Sequence, residues 1–343
     1  MTRWKSVALG AVALAAGLAC CQRREPGREL PKREGPAGRE GPLTIAVIPK
    51  GTTHEFWKSV HAGAVKAERE LGVQIIWKGP LKEDNREDQI KVVEDFVTKG
   101  VSGIVLAPLD DVALRGPVSN AVRSGIPVVI FDSDLRSEDY VSFVATDNYK
   151  GGVLGGRHLA QLLGARGRVA MLRYAEGSAS TMNREKGFLD AISENPGIQV
   201  VSANQYGGAT TETAYKASEN LLAPLRTPEG GLSVDGIFCP NESTTFGMLR
   251  ALQDGGFAGK VRFVGFDSSA KLVEALRRGE LDALVLQNPF RMGYLGVKTL
   301  VEHIRGRPVE KRVDTGVTLV TRENMDQPEI RELLEPELEK WLK

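Results

Sequence analysis

The sequence predicts an α/β protein with two doubly wound lobes, and two observations support this prediction. From residue 43 onward, short apolar runs alternate with segments of helical periodicity, a pattern typical of βαβ units and parallel sheets. The alternation starts again after YVSFVATDN, so the chain falls into two similar halves. Each half is therefore expected to form its own sheet with helices on both faces.

The first half contains four predicted strands, LTIAVIP, VQIIW, GIVLA and PVVIF. They are almost wholly apolar, as expected for strands buried on both faces of a sheet. Helical segments connect them at about His54–Leu71, at Asp84–Lys99 and after Asp111. These connections predict right-handed crossovers between parallel strands.

The second half repeats this plan. Helices are predicted over Tyr149–Leu163, Asn183–Glu194 and Glu212–Leu222. The predicted strands are RVAMLRY, IQVVSA, GIFCP, VRFVGF and LDALVLQ. The run GGVLGG at Gly151–Gly156 departs from the dinucleotide-binding spacing GxGxxG, so we interpret it as a close helix contact.

A helix over Met292–Ile304 and the strand VDTGVTLV follow, and we expect them to return to the first lobe and then the second. The chain would then cross between the lobes three times, near Ala145–Asp147, Gln287–Pro289 and Asp314–Gly316. Such a three-stranded hinge leaves a cleft that is the default ligand site. The predicted N-terminal lobe comprises residues 43–146 and 288–315, and the C-terminal lobe comprises 147–287 and 316–343. The tail Arg322–Lys343 is predicted to be an amphipathic helix that packs on the core.

Residues 1–19 have the form of an export signal. Arg3 and Lys5 precede an apolar stretch, Val7–Ala19, that is short for a membrane span. The stretch ends Gly-Leu-Ala-Cys-Cys and resembles the lipobox of bacterial lipoproteins, which implies a lipidated Cys20. Cys21 stays open as the modified residue, and an ordinary secretory signal with incidental cysteines is the alternative.

Residues 20–42 are rich in Arg, Glu, Pro and Gly and predict a flexible tether between membrane and domain. The whole chain carries 45 basic and 44 acidic residues, which does not favour a nucleic-acid partner. Cys239 lies in an apolar strand and is predicted to be a core residue. Its isolation implies no disulfide framework.

Four apolar runs each end in one polar residue. Since ligands of open α/β sheets bind beyond the carboxyl ends of the strands, such residues can converge on a small hydrogen-bonding molecule. A purely structural role is the alternative, in which an aspartate caps the following helix or Asn241 holds a turn. The four residues are Asp132, Asn241, Asp267 and Gln287.

Several ordered motifs together resemble the periplasmic sugar-binding proteins of the ribose-binding type. They are IAVIPKGTTHEFW, VVIFDSD, ATDNYKGG, the NREKGF run, IFCPNESTTFGMLRAL, VGFDSS and LVLQNPFRMG. The resemblance covers about Leu43–Val320. It implies the type I periplasmic binding protein fold, with two Rossmann-like lobes, and a solute that is handed to an ABC importer or to a membrane sensor.

The resemblance also implies roles for individual residues. Asp132 and Asp267 would accept hydrogen bonds from sugar hydroxyls, and Arg184 would donate to them. Asn241 and Gln287 would supply amides that both donate and accept. Phe56 and Trp57 match the aromatic pair that stacks on a sugar ring. A contribution from Tyr206 stays open.

Three residues depart from the family pattern and are further candidates for ligand contact. Lys50 stands where ribose binders have a small polar residue, His54 replaces an asparagine, and Ser133 replaces an arginine. These changes rearrange the charge of the cleft, so they argue against ribose itself. A different pentose, a hexose, a polyol or a modified sugar fits equally well.

The sequence argues against two other classes of protein. An enzyme acting on sugar could use facing carboxylates, but the sequence has no GxSxG, P-loop or HExxH motif, and its four histidines lack metal-ligand spacing. A regulator of the lactose-repressor type would carry DNA-binding helices where the export signal and tether stand. We therefore expect a monomeric, lipid-anchored binding protein without cofactor or metal, on the periplasmic or cell-surface face of a bacterial membrane. Transport and sensing both stay open.

Overall fold

The computed structural model describes residues Pro42–Leu342 and contains two six-stranded sheets with helices on their faces. The α/β class with two doubly wound lobes is confirmed. The predicted export signal, Cys20 and almost all of the tether lie outside the described residues. Within the described part, no helix is long and apolar enough to cross a membrane.

The first lobe is built on a fully parallel sheet in the order β11-β5-β4-β3-β1-β2. Its strands are β1 Thr44–Ile48, β2 Gln74–Trp77, β3 Gly103–Leu106, β4 Val128–Phe131, β5 Ser142–Ala145 and β11 Arg312–Asp314. Its helices are α1 Glu55–Leu71, α2 Arg86–Lys99, α3 Arg115–Arg123 and α9 Pro289–Ile304. Apolar side chains fill the space on both faces of this sheet.

The second lobe has the equivalent strand order, β12-β10-β9-β8-β6-β7, but β12 pairs antiparallel to β10. Its strands are β6 Arg166–Arg173, β7 Gly197–Tyr206, β8 Gly236–Phe238, β9 Arg262–Phe266, β10 Ala283–Leu286 and β12 Thr318–Thr321. Its helices are α4 Asn148–Leu162, α5 Ala179–Ser193, α6 Thr211–Leu222, α7 Glu242–Asp254, α8 Ala270–Arg278 and α10 Pro328–Leu334. Short 3₁₀ turns occur at Ala223–Leu225 and Leu338–Lys340.

The segment VDTGVTLV, which was expected to cross between the lobes, contributes β11 to the first sheet and β12 to the second. The structure departs from the sequence-based expectation in two places. Helices α7 and α8 were not predicted. The tail is not one helix: α10 ends at Leu334, since Pro336 cannot continue it, and only a 3₁₀ turn follows.

Glycines allow helices α4 and α5 to pack closely. A Cβ atom on Gly152 would lie 1.9 Å from the carbonyl oxygen of Arg184, and one on Gly187 would lie 2.1 Å from that of Tyr149. The interpretation of GGVLGG as a close helix contact is therefore confirmed. The packing also fixes the backbone of Arg184, a candidate ligand residue.

Side chains tie the crossing segments together. Thr146 donates to the carbonyl of Gly316 over 3.0 Å, and its hydroxyl lies 3.4 Å from that of Thr315. Asp147 caps α4 by accepting from the backbone N–H of Lys150. These bonds hold two crossings side by side, as a hinge requires.

Candidate functional site

The carboxyl ends of the two sheets face each other across a cleft that is nearly closed in this structure, with a cavity of about 30 Å³ between its walls. Both lobes contribute its walls, and most of the side chains are polar or aromatic. The lining residues are Lys50, His54, Phe56, Trp57, Glu83, Asp132, Tyr174, Ser180, Thr181, Arg184, Asn241, Glu242, Asp267 and Gln287.

Nine of the ten residues that the sequence singled out line this cavity. Ser133 is the exception, because it is fully buried behind the wall. Its hydroxyl accepts from the backbone N–H of Ser180 at the start of α5 over 3.1 Å. Ser133 thus joins the two lobes in this structure and does not line the cavity, so its contact with ligand stays a prediction.

Lys50 and Asp132 form a buried ion pair in the first lobe. The Lys50 ammonium lies 3.1 Å from Oδ2 of Asp132, and the two side chains are 4% and 5% exposed. The same ammonium donates across the cleft to the hydroxyls of Ser178 (3.2 Å) and Ser180 (3.0 Å). The lysine that departs from the family pattern therefore bridges the lobes.

Asp267 is the counterpart of Asp132 in the second lobe. It accepts from Nε2 of Gln287 over 2.7 Å and from the backbone N–H of Glu242 over 3.2 Å. Burial raises the pKa of Asp267 above its ordinary value; Arg184 and Gln287 oppose this shift, and Asp132 adds to it. The Oε1 atom of Gln287 is buried and has no hydrogen-bond partner among residues 42–342, so it is available to accept from a ligand.

Arg184 is held in place from three sides. Its Nε donates to Asn148 over 2.8 Å, and its Nη1 donates to the carbonyl of Pro240 over 2.9 Å. Its guanidinium also lies 4.1 Å from the centre of the Phe266 ring. Nη1 is 3.7 Å from Oδ2 of Asp267, close enough for charge attraction. Arg184 is therefore a fixed cation in the second-lobe wall.

Glu83 connects three other groups of the site. It accepts from Nε1 of Trp57 and from the hydroxyl of Tyr174, each over 2.5 Å, and it lies 2.8 Å from Nδ1 of His54. Burial acts to raise the pKa of Glu83, but the charge and hydrogen bond of His54, with Lys50 and Tyr174, outweigh it and hold that pKa at about 2. Conversely, burial acts to lower the pKa of His54, but Glu83 raises it to about 9. The pair is therefore ionised at neutral pH.

Glu242 reaches from the second lobe to the N-terminus of α1 in the first. Its carboxylate accepts from the backbone N–H groups of Glu55 (3.3 Å) and Phe56 (3.2 Å). The N-cap residue His54 makes no capping bond of its own, so the opposite lobe supplies the cap. Burial raises the pKa of Glu242 to about 7, partly offset by the charge of His54.

Asn241 has a structural role as well as a place in the wall. Its side chain accepts from the backbone N–H of Thr244 and forms a capping box at the start of α7. Its Nδ2 lies 3.1 Å from the hydroxyl of Ser243. The structural alternative is therefore confirmed for part of this side chain.

The aromatic side chain that the second lobe contributes to the cleft lining is that of Tyr174, and Tyr206 lies outside it. Tyr206 is 38% exposed, and its hydroxyl lies 3.3 Å from Glu176, outside the cavity lining. Tyr174 directly follows β6 and is 2% exposed. Its position at a strand end was a signal in the sequence. Glu83 lies in a polar loop among other acidic residues, where the sequence gives no comparable signal.

The remaining chemistry-bearing residues do not form another centre. Within Pro42–Leu342, no group of His, Cys, Asp and Glu side chains is arranged to hold a metal ion. Cys239 is buried in the core of the second lobe, as predicted, and burial raises the pKa of its thiol well above the ordinary value. The cleft is therefore the site to be explained.

Two lobes around a polar cleft are the architecture of a ligand-closing receptor, and comparison with known proteins agrees. Residues 45–308 match the model of the periplasmic binding protein domain. The chain belongs to the periplasmic binding protein family. The predicted resemblance to its ribose-type sugar-binding members is confirmed. Membership of this family also gives the binding protein an extracytoplasmic location.

Three relatives illustrate the similarity. The ribose import binding protein RbsB of Haemophilus influenzae is 29% identical over 278 residues, which are 81% of this chain and 91% of that protein. A carbohydrate transporter solute-binding protein from Agrobacterium radiobacter, solved with D-arabinose, is 34% identical with a TM-score of 0.81, over 86% of this chain and 100% of that one. An ABC transporter solute-binding protein from Agrobacterium vitis, solved with D-fucose, is 38% identical with a TM-score of 0.80, over 85% and 99%.

Proposed function

We propose that the binding protein captures a neutral monosaccharide or related polyol and delivers it to an ABC importer. One observation carries the proposal: each cationic side chain of the cleft has an anionic partner. The pairs are Lys50–Asp132, His54–Glu83 and Arg184–Asp267. An anionic ligand would find each of these cationic side chains already paired and would have to break a pair in a buried site, which is costly. A neutral polyhydroxylated molecule can bond to their remaining lone pairs and N–H groups without doing so.

Relatives of the chain support this class of ligand. The solved relatives were bound to D-arabinose and D-fucose, and the Haemophilus relative is a ribose import protein. In this chain, the unpartnered Oε1 of Gln287 offers an acceptor to a hydroxyl. Phe56 stands edge-on to Trp57, with ring centroids 4.9 Å apart, and offers apolar surface for the C–H face of a sugar.

Capture would proceed by closure of the lobes. In the structure, Lys50, Glu83 and Glu242 each bond to a group of the opposite lobe. Only the closed form makes these bonds and also surrounds a ligand with both walls, so a sugar that bonds to both walls selects that form. The closed surface would be recognised by the importer, and recognition by a membrane sensor is the alternative.

The N-terminal residues would export the protein and anchor it to a membrane. Residues 1–19 would direct export, and lipidated Cys20 would anchor the monomer to the outer face of a membrane through the tether at 20–42. The protein would release its sugar chemically unchanged. Labelling of producing cells with a radioactive fatty acid tests the anchor. Cys20→Ala should abolish incorporation, whereas retained label in this variant and loss in Cys21→Ala would assign Cys21 instead.

A thermal-shift screen of pentoses, hexoses, polyols, uronic acids and sugar phosphates tests the ligand class. A neutral sugar should raise the melting temperature by an amount that grows with the logarithm of its concentration above the dissociation constant. The charged analogues of that sugar should have no effect at the same concentration. A shift produced only by charged sugars would contradict the proposal.

A further inference from the structure

The tail crosses from the second lobe to the first after α10. Ile330 and Leu334 are buried against the second-lobe core, together with Leu272 and Leu276 of α8. The chain then turns at Pro336, and Trp341 packs against the first lobe. A segment that the sequence assigned to one lobe therefore contacts both.

The contacts on the first lobe are specific. The Trp341 ring centroid lies 6.0 Å from that of Phe290, the second residue of α9. Arg69 of α1 donates to the carbonyls of Lys340 (3.3 Å) and Trp341 (3.1 Å). The guanidinium of Arg69 also lies 5.3 Å from the centre of the Trp341 ring. An aromatic pair and a cation over an indole ring each stabilise a contact.

This segment lies beside the crossing at Gln287. It forms one wall of a cavity of about 360 Å³ whose other walls are the starts of α1 and α8. Phe56 and Gln287 line both this cavity and the sugar cleft. The segment thus spans the gap between the lobes next to the candidate site.

We propose that residues 335–342, the C-terminal strap, favour the closed arrangement of the lobes, with Trp341 as the anchor on the first lobe. The inference deepens the proposed function and rests on it, since closure is the capture step. The hinge segments continue as main chain into both lobes, whereas the strap is held on the first lobe by side-chain contacts. Opening the cleft on this side moves α1 away from α8. Because the strap follows α10, which packs on the second lobe, this movement would break the contacts of Trp341 with Phe290 and Arg69.

Ligand-free lobe separation measures this directly. Spin labels are placed on exposed residues Lys91 of α2 and Lys216 of α6 in the full chain, after Cys20→Ser and Cys21→Ser; buried Cys239 does not label. Distances between the labels are then measured by double electron–electron resonance without sugar. Wild-type protein should show a closed population, and Trp341→Ala should lower the ratio of closed to open protein about tenfold.

Two further variants make the test specific. Arg69→Gln weakens the same contact from the first lobe, and the double variant should open less than the product of the two single effects, because both lose the Arg69–Trp341 ring contact. If Trp341→Ala fails to fold, Arg69→Gln alone serves as the test. Glu339→Ala changes an exposed residue of the same turn and should leave the distances unchanged.

The outcomes are distinct. If both Trp341→Ala and Arg69→Gln show the wild-type distances, the proposal is overturned. This result is expected if the chain bends at Pro336 when the lobes separate, so that the strap does not resist opening. A wild-type protein that is wholly open without sugar would overturn it as well. No sugar is added, so failure of the binding protein to bind sugar would leave this result standing and would contradict only the proposed function.

Discussion

Asp132 and Asp267 occupy equivalent positions in the two lobes and share an unusual backbone conformation. Each directly follows the fourth strand of its lobe, β4 or β9, and each has a positive φ, 59° for Asp132 and 65° for Asp267. Residues other than glycine, asparagine and aspartate rarely adopt this left-handed backbone conformation. Each lobe therefore presents an aspartate to the cleft from the same strained turn.

The first prediction separates the role of these carboxylates in binding from their role in the backbone. Asparagine tolerates the left-handed conformation but lacks the charge. Asp132→Asn and Asp267→Asn should each weaken sugar binding by about tenfold to a hundredfold, because a charge-assisted hydrogen bond is lost. Replacing either residue with Ala should cost about 1 kcal/mol more in the free energy of unfolding than replacing it with Asn. Equal stability of the Ala and Asn variants in urea would show that the backbone is not strained.

The second prediction concerns Glu83. It is 8% exposed and bonded to His54, Trp57 and Tyr174. Glu83→Gln removes the carboxylate that keeps buried His54 charged and breaks the ion pair from one side, so the free energy of unfolding should fall by about 3 kcal/mol. Exposed Glu94 offers a matched control, and Glu94→Gln should change little. Urea unfolding at neutral pH measures both.

The pH dependence of this stabilisation has a definite sign. The pKa of Glu83 is lowered to about 2 in the folded protein. Its contribution is therefore present above the unfolded value, about 4.3, and is lost as the pH falls towards 2. The difference in stability between wild type and Glu83→Gln should shrink over this range. A difference that stays constant on acidification would contradict the assignment.

The third prediction is that closure takes up a proton at Glu242. Burial raises the pKa of this carboxyl to about 7 in the closed cleft, whereas an open cleft would leave it near its ordinary value, about 4.3. Protonation of Glu242 on closure favours sugar binding. This favourable effect is fully present below about pH 4.3, the pKa in the open cleft, and is lost as the pH rises through about 7, the pKa in the closed cleft. Sugar affinity should thus fall about thirtyfold between about pH 5.5 and 8. Glu242→Gln cannot titrate, so an unchanged pH profile in that variant would refute the prediction.

The fourth prediction tests whether close helix packing positions Arg184. Gly152→Ala places a methyl group against the carbonyl of Arg184 and should lower the free energy of unfolding by about 2 kcal/mol. It should also weaken sugar binding, because the Arg184 backbone must shift. Gly116→Ala in α3 adds a methyl group to open space and serves as the control. If Gly152→Ala lowers stability but leaves sugar affinity unchanged, the contact between α4 and α5 stabilises the fold and does not position Arg184 for binding.

The sequence predicts the fold and most of the cleft because both depend on a repeated local pattern. Buried parallel strands are apolar along their length, so Asp132, Asp267 and Gln287 mark the strand ends at which ligands bind. Arg184 lies within a helix, where its charge alone is uninformative, and only the family motif identified it.

The residues that sequence analysis missed depend on the meeting of the two lobes. Glu83 and Glu242 bond to groups far away in the sequence, Tyr174 and the N-terminus of α1. No local periodicity encodes such contacts. The division of the tail had a local signal, since Pro336 interrupts the helical pattern, but the docking of Trp341 on the first lobe had none.

Calorimetric titration of the protein with neutral sugars tests the central claim most directly, with chemical analysis of the sugar afterwards. We expect one neutral sugar to bind at a single saturable site and to be recovered unchanged. The double variant Asp132→Asn and Asp267→Asn should lose this binding while it keeps a cooperative unfolding transition. Absence of binding by every neutral sugar, full binding by the double variant, or recovery of an altered sugar would contradict the account.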